Sequence, residues 1–133
     1  MASKSQMSGM QGVYLAAAEL VARGFIVSVT WPGAQGADLL VTTPDVRQAW
    51  SVQVKATPKA TTYWLLGPDA RQLTARSHVY VFVARMAGQP EFYVVPSRVV
   101  ARHVRVSRRP KSTWYAWVKQ DRYRDAWHLF ARA

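Results

Sequence analysis

The sequence predicts an α/β fold, and three features indicate it. Apolar side chains recur at helical spacing over residues 12–23, several short segments are rich in β-branched residues, and residues 78–84 are almost continuously apolar. The first pattern is typical of an amphipathic helix and the other two of strands. With 133 residues, of which 50% are hydrophobic, the chain can bury one core. We therefore expect one domain over residues 12–133, a central mixed sheet flanked by helices, after a flexible tail at residues 1–11.

The predicted elements follow one another in a definite order. The helix has one apolar face and ends at Gly24, a residue type common in C-terminal caps. Residues 78–84 should be a central strand covered on both faces, because apolar residues are almost continuous there. The remaining predictions are strands over residues 25–31, 36–41, 50–57, 63–66 and 91–95, a loop over 32–36, a brief helix over 70–76 and a final helix over 121–130.

The segment after Ser97 has two interpretations. If it is helical, its arginines fall at spacings of four, three and four and share one face of a helix. Residues 102–107 also alternate as a strand does, which predicts a helix that stops early. Both interpretations end in a basic loop over residues 108–111.

Composition restricts the class of partner. Lys and Arg number 18 against 7 Asp and Glu, which gives a formal charge of +11 and a pI near 10.7. Such a field attracts polyanions, most commonly through phosphate contacts, although acidic proteins and membranes are alternatives. The chain has no cysteine, residues 1–11 contain no apolar signal core, and no apolar run approaches the roughly 18 residues of a membrane span. We expect a cytoplasmic protein with no membrane partner.

Polar side chains concentrate in one predicted hairpin. Gln53 and Lys55 are two residues apart on a strand and should share a face, whereas Val52 and Val54 should face the core. Asp38 stands at the mouth of the preceding strand. This hairpin is therefore the best candidate for a chemical site.

The order of elements and these side chains resembles the PD-(D/E)xK nuclease superfamily. Its members share a restriction-endonuclease-like or Holliday-junction-resolvase-like αβββαβ core. In the family a helical Glu or Gln precedes a glycine-rich loop, an Asp begins the second strand, and a Glu- or Gln-x-Lys triplet follows on the third. Here Glu19, Asp38 and the triplet from Gln53 to Lys55 occupy those places, and the resemblance covers about residues 12–85.

The resemblance implies a metal-dependent endonuclease that acts on DNA, including a role like that of a junction resolvase. Asp38, Gln53, the main-chain carbonyl of Val54 and Glu19 would hold Mg²⁺ or Mn²⁺, directly or through water, since these ions prefer oxygen ligands. Lys55 would orient or deprotonate the attacking water. Cutting both strands would require a homodimer. The basic residues expected to hold the DNA are Lys59, Arg98, Arg102, Arg105, Arg108, Arg109 and Lys111.

Two alternatives stand beside the nuclease. Gln53 replaces the acid that many members of the family have, although active Gln branches such as the Mrr-like restriction enzymes exist. Glu19 can equally be a solvated carboxylate on the flank of its helix. A non-catalytic nucleic-acid-binding protein on the same fold is therefore the first alternative, and a protein-interaction or accessory module is the second. The three histidines, 25 residues apart, offer no helical metal pair.

Overall fold

The computed structural model describes residues 3–30 and 37–130. The loop predicted over residues 32–36 lies outside this part of the chain. The helices are α1 (Lys4–Ala22) and α2 (Ser97–His103), and the strands are β1 (Ile26–Val29), β2 (Leu39–Thr42), β3 (Ala49–Ala56), β4 (Tyr63–Leu66), β5 (His78–Ala84), β6 (Glu91–Pro96), β7 (Arg105–Arg109) and β8 (Ser112–Val118). Short 3-10 turns follow at Pro68–Arg71, Asp121–Tyr123 and Trp127–Phe130.

The strands form two sheets. The central sheet has five strands in the order β1-β2-β3-β5-β6, in which only the β3–β5 pair is parallel. The second sheet has three strands in the order β4-β8-β7, all antiparallel. The predicted α/β fold with a central mixed sheet flanked by helices is thus confirmed.

The central sheet is buried on both faces at β5, as its apolar run predicts. Every residue of β5 is buried. Its valines pack with Ala16 and Leu20 of α1, whereas Tyr80 and Phe82 pack with Val100 of α2 and with Trp64 and Trp117 of the second sheet. We call these two sides the α1 face and the α2 face.

Helix α1 begins earlier than expected. Ser3 caps it through a capping box, in which its hydroxyl accepts from the backbone N–H of Gln6 while its own N–H donates to the Gln6 side chain. Residues 4–11, which were expected in a flexible tail, are therefore helical. The helix ends at the predicted place, because Gly24 adopts φ 94°, a left-handed conformation that favours glycine.

Gly12 sets the distance between α1 and the central sheet. A Cβ atom added at Gly12 would collide with the Cβ of Ala56 at the end of β3. We expect Gly12→Ala to lower the free energy of unfolding by about 1–3 kcal/mol, since overpacking outweighs the gain in helix propensity. Denaturant titration measures the loss. Ala56→Gly in the same chain should restore part of it, and equal losses in the single and double variants would contradict a clash between these two residues.

Two local predictions of helices are wrong. The final helix over 121–130 is broken into two 3-10 turns, because Asp125 takes a left-handed φ of 49° between them. The helix predicted over 70–76 is the 3-10 turn Pro68–Arg71.

After Ser97 the early-stop interpretation holds, since α2 ends at His103 and β7 begins at Arg105. None of the helices in the described residues is long and apolar enough to span a membrane.

Candidate functional site

Asp38, the residue before β2, connects the start of that strand to the middle of β3. Its backbone N–H donates to the carbonyl of Val52 at 2.7 Å, and its Oδ2 accepts from the backbone N–H of Val54 at 2.8 Å. The side chain thus takes the place of a backbone carbonyl where regular pairing of β2 with β3 ends at Leu39. This hydrogen bond holds the carboxylate next to Gln53, which lies between Val52 and Val54 on β3.

Gln53 and Lys55 point to the α2 face, as strand alternation predicts. Val52 and Val54 are buried on the α1 face. Gln53 and Lys55 alternate with them along β3, so their side chains project to the α2 face. Both are half-buried and line a cavity of about 320 Å³. The cavity brings an amide and an ammonium group together on one wall.

Two further residues that sequence patterns did not identify, Tyr80 and Asp69, also line this cavity. Tyr80 lies next to Gln53 in the parallel β3–β5 register, and Asp69 belongs to the 3-10 turn after β4. Burial, aided by the negative charge of Asp69, raises the pKa of Tyr80 to about 12. Tyr80 is therefore a neutral phenol near pH 7 and a potential hydrogen-bond donor rather than a base.

His78 lies at the start of the same row of side chains. Its Nδ1 is 2.7 Å from the hydroxyl of Ser51, and its Nε2 is buried with no hydrogen-bond partner among the described residues. Burial lowers the pKa of His78 below its ordinary value of 6.5, against a smaller opposing effect of Asp69. The folded protein therefore favours the neutral imidazole, which fits a structural role.

This lowered pKa predicts a loss of stability in mild acid. Above pH 6.5 His78 is neutral in both the folded and the unfolded chain, and the stability is at its full value. As the pH falls below 6.5 the unfolded chain binds a proton at His78 that the folded protein does not, so stability is lost down to the lowered pKa of the folded state. The free energy of unfolding should fall by up to about 1.4 kcal/mol per pH unit in this window. Denaturant titrations between pH 7.5 and 5 should show this slope in the wild type and in a His128→Gln control. His78→Gln should flatten it, and an unchanged slope would contradict the prediction.

Glu19 lines a different cleft from the one that contains Gln53 and Lys55. Its neighbours Ala16 and Leu20 pack on the α1 face, and its carboxylate pairs with Arg23 at 3.0 Å in a cleft of about 970 Å³ on that side. Helical spacing placed Glu19 beside the apolar stripe, but it could not show which side of the sheet the helix covers.

The basic residues predicted to contact nucleic acid are all exposed, and they fall into separate groups. Lys59 lies in the turn after β3, Arg98 and Arg102 lie on α2, and the others follow on β7 and in the β7–β8 turn: Arg105, Arg108, Arg109 and Lys111. Arg102 and Arg105 line one groove of about 520 Å³ with Lys119, a cation that the sequence patterns did not single out. The arginines therefore lie on a short helix and a strand rather than on one helical ridge.

The donors near Asp38 suit a hard divalent cation better than an ion that prefers nitrogen or sulfur ligands. The group offers a carboxylate from Asp38, the amide oxygen of Gln53 and the main-chain carbonyl of Val54, all of them oxygen atoms. Within the described residues no cluster of three or more His, Cys, Asp or Glu side chains could hold a metal. Mg²⁺ and Mn²⁺ tolerate one or two carboxylates when water and substrate phosphate complete the shell, so this limited donor set fits them.

Comparison with solved structures identifies a similar fold. The chain superposes on the structure of a bacterial homing endonuclease, I-Ssp6803I, with a TM-score of 0.64 and 18% sequence identity, over 97% of this chain and 91% of that one. At this identity the likeness shows a shared fold, and that fold is endonuclease-like. No protein-family model and no curated protein sequence matches the chain.

Proposed function

We propose that this protein is a metal-dependent DNA endonuclease of the PD-(D/E)xK type. The observation that supports it best is the Asp38 carboxylate, held by the Val54 N–H beside Gln53 and Lys55 at the end of the β2–β3 hairpin. This is the side-chain order that the superfamily uses for phosphodiester hydrolysis. The homing endonuclease with the similar fold adds support of a different kind, because it does not depend on the short sequence motif.

Asp38, Gln53 and the Val54 carbonyl are the residues that would hold Mg²⁺ or Mn²⁺. When bound, such an ion supplies Lewis acidity and lowers the pKa of coordinated water. Lys55 positions the attacking water and offsets negative charge that builds on the phosphate. The water oxygen gives up a proton as it forms a bond to phosphorus, the bond to one sugar oxygen breaks, and the departing oxygen takes up a proton from solvent, so that one water is consumed and the protons balance. The neutral phenol of Tyr80 lies in the same cavity, where it can donate a hydrogen bond to a phosphate oxygen.

The surrounding cations are suited to holding a polyanion. Arg102, Arg105 and Lys119 share one groove, and the remaining predicted contact residues are exposed to solvent. Each phosphate that they neutralise releases counterions, so affinity for DNA should fall steeply as salt increases. A cytoplasmic location remains a prediction from the sequence.

Cleavage assays test the proposal directly. Supercoiled plasmid and branched DNA are incubated with the wild-type protein and Mg²⁺ or Mn²⁺, beside a reaction with chelator. Nicked or linear product that requires the metal supports the endonuclease, and preference for the branched substrate supports a resolvase-like role. Direct conversion to linear DNA indicates coordinated cutting of both strands and a homodimer, whereas nicking alone does not.

A non-catalytic DNA-binding protein is the second candidate, and the neutral side chain of Gln53 favours it. With one carboxylate in the donor group, metal affinity should be weaker than in a site with two. Tight, salt-sensitive binding to DNA without cleavage in either metal would reject the nuclease in favour of this candidate. Absence of DNA binding would leave the protein-interaction module.

A further inference from the structure

The second sheet extends beyond the body of the protein as a two-stranded ribbon. Strand β4 pairs with β8 only from Tyr115 to Val118, whereas β7 continues to pair with β8 as far as the turn. The cross-strand pairs beyond β4 join Ser107 to Trp114, Arg108 to Thr113 and Arg109 to Ser112, and all six residues are exposed. We call residues 107–114 the distal ribbon.

The distal ribbon has the chemistry of a nucleic-acid contact. Residues 105–118 include no Asp or Glu, while Arg108, Arg109 and Lys111 cluster at the tip. Arginine donates two parallel hydrogen bonds to the O6 and N7 atoms of guanine, and Ser or Thr hydroxyls bond to several bases. The exposed Trp114 has its indole N–H bound to the Ser112 hydroxyl at 3.0 Å. A nucleic-acid duplex, with its negative charge and exposed base edges, therefore fits this surface better than an apolar protein surface does.

The dimensions of the ribbon match the major groove. From Tyr115 to Ser112 the strand advances three residues, or roughly 10 Å, at about 3.4 Å per residue. The major groove of B-DNA is about 8.5 Å deep and about 12 Å wide, and it admits a two-stranded ribbon. The distal ribbon is therefore long enough for its tip to reach the base edges while its sides contact the phosphates.

The ribbon is also joined to the candidate site. Tyr115 pairs with Leu66 of β4, and Leu66 lines the cavity that contains Gln53 and Lys55. On the same side of the second sheet, strand alternation places Arg108 and Thr113 one step farther toward the tip. DNA whose phosphate lies at Lys55 would thus have its neighbouring groove next to the ribbon.

We propose that the distal ribbon enters the major groove of duplex DNA and selects sequence next to the cleaved phosphodiester. Arg108 and Arg109 project to opposite sides of the ribbon, so a tip-first entry presents each of them to a different base pair. This inference rests on the proposed nuclease function, to which it adds sequence specificity and the residues that determine it.

Selection from a random duplex library tests the ribbon. Double-stranded DNA with a randomised central segment is selected with the wild-type protein in chelator, so that no cleavage occurs. We expect an enriched sequence for the wild type and for Arg124→Lys, a matched control in an exposed position beside the cleft on the α1 face. Arg108→Lys and Arg109→Lys keep the charge but remove bidentate geometry. Each should lose about 5- to 150-fold of the preference for guanine at one position.

Binding to unselected duplex DNA separates base reading from phosphate contact. In both lysine variants this affinity should fall much less than the preference for guanine, and its salt dependence should keep its slope, since the charge is kept. An unchanged consensus in both variants, or no consensus for a wild type that cleaves DNA, would overturn the ribbon proposal and leave the nuclease intact. A wild type that neither binds nor cuts DNA would reject both. A changed sedimentation coefficient in the variants, with an unchanged consensus, would assign the ribbon to a protein interface instead.

Discussion

Replacing Asp38 with asparagine should reduce Mg²⁺-dependent DNA cleavage by about 100-fold or more. The substitution removes one negative charge from the proposed metal ligands, an interaction of about 4 kcal/mol per unit charge at 4 Å and an effective dielectric of 20. Desolvation offsets part of this energy, but about 2.7 kcal/mol is enough for a 100-fold change in rate. Asparagine keeps an oxygen that can accept from the Val54 N–H, so the hairpin should remain folded.

Initial rates of plasmid nicking at several metal concentrations measure this loss. Asp121→Asn is the matched control, because it removes the same charge from an exposed 3-10 turn after β8. Lys55→Met should lose between about 100- and 10,000-fold, the usual contribution of a positioned acid–base group. Both variants should bind duplex DNA in chelator and melt near the wild-type temperature. Cleavage by Asp38→Asn at the wild-type rate would show that the chemistry occurs elsewhere.

The parts of this site that depend on local periodicity could be predicted from the sequence. Alternation along β3 is enough to put Gln53 and Lys55 on one face, because strand side chains repeat every two residues. The continuous apolar run of β5 is likewise enough to predict a strand buried on both faces. These predictions needed no knowledge of what packs against them.

The parts that depend on packing between distant segments could not be predicted. Glu19 has the residue type that the family pattern requires and lies on the expected helix. However, contacts such as that of Gly12 with Ala56 determine which face of the sheet α1 covers. Asp69 reaches the cavity through a 3-10 turn that resembles an ordinary helix start in the sequence. The second sheet pairs β4 with a strand about 50 residues later, and no local pattern specifies that pairing.

The second sheet also changes how the basic residues are understood. As one helical ridge, Arg98, Arg102, Arg105 and Arg109 would have followed a single phosphate backbone. With α2 ending at His103, the arginines divide between a short helix and the ribbon. The basic residues are therefore divided between at least two surfaces, one in the groove beside Lys119 and one at the tip of the ribbon.

In the proposed metal site the neutral amide of Gln53 limits the affinity, so Gln53→Glu should strengthen metal binding. The change restores the carboxylate that many PD-(D/E)xK nucleases have, in a half-buried position beside Lys55. A second charge near the ion is worth about 4 kcal/mol at an effective dielectric of 20, before desolvation and the attraction of Lys55 reduce it. We expect the Mg²⁺ concentration for half-maximal cleavage to fall about tenfold, which requires about 1.4 kcal/mol of this energy.

Binding of Mn²⁺ in the absence of DNA gives a measurement that does not require cleavage. Electron paramagnetic resonance counts the free Mn²⁺ and should show tighter binding to Gln53→Glu than to the wild type, with weaker binding to Asp38→Asn. Gln89→Glu adds the same charge at an exposed residue beside the cleft on the α1 face and should leave the affinity near wild type. If Gln53→Glu and Gln89→Glu bind Mn²⁺ equally, position 53 does not contact the ion. If only Gln53→Glu gains affinity and cleavage rises with it, the neutral amide limits metal occupancy in the natural sequence.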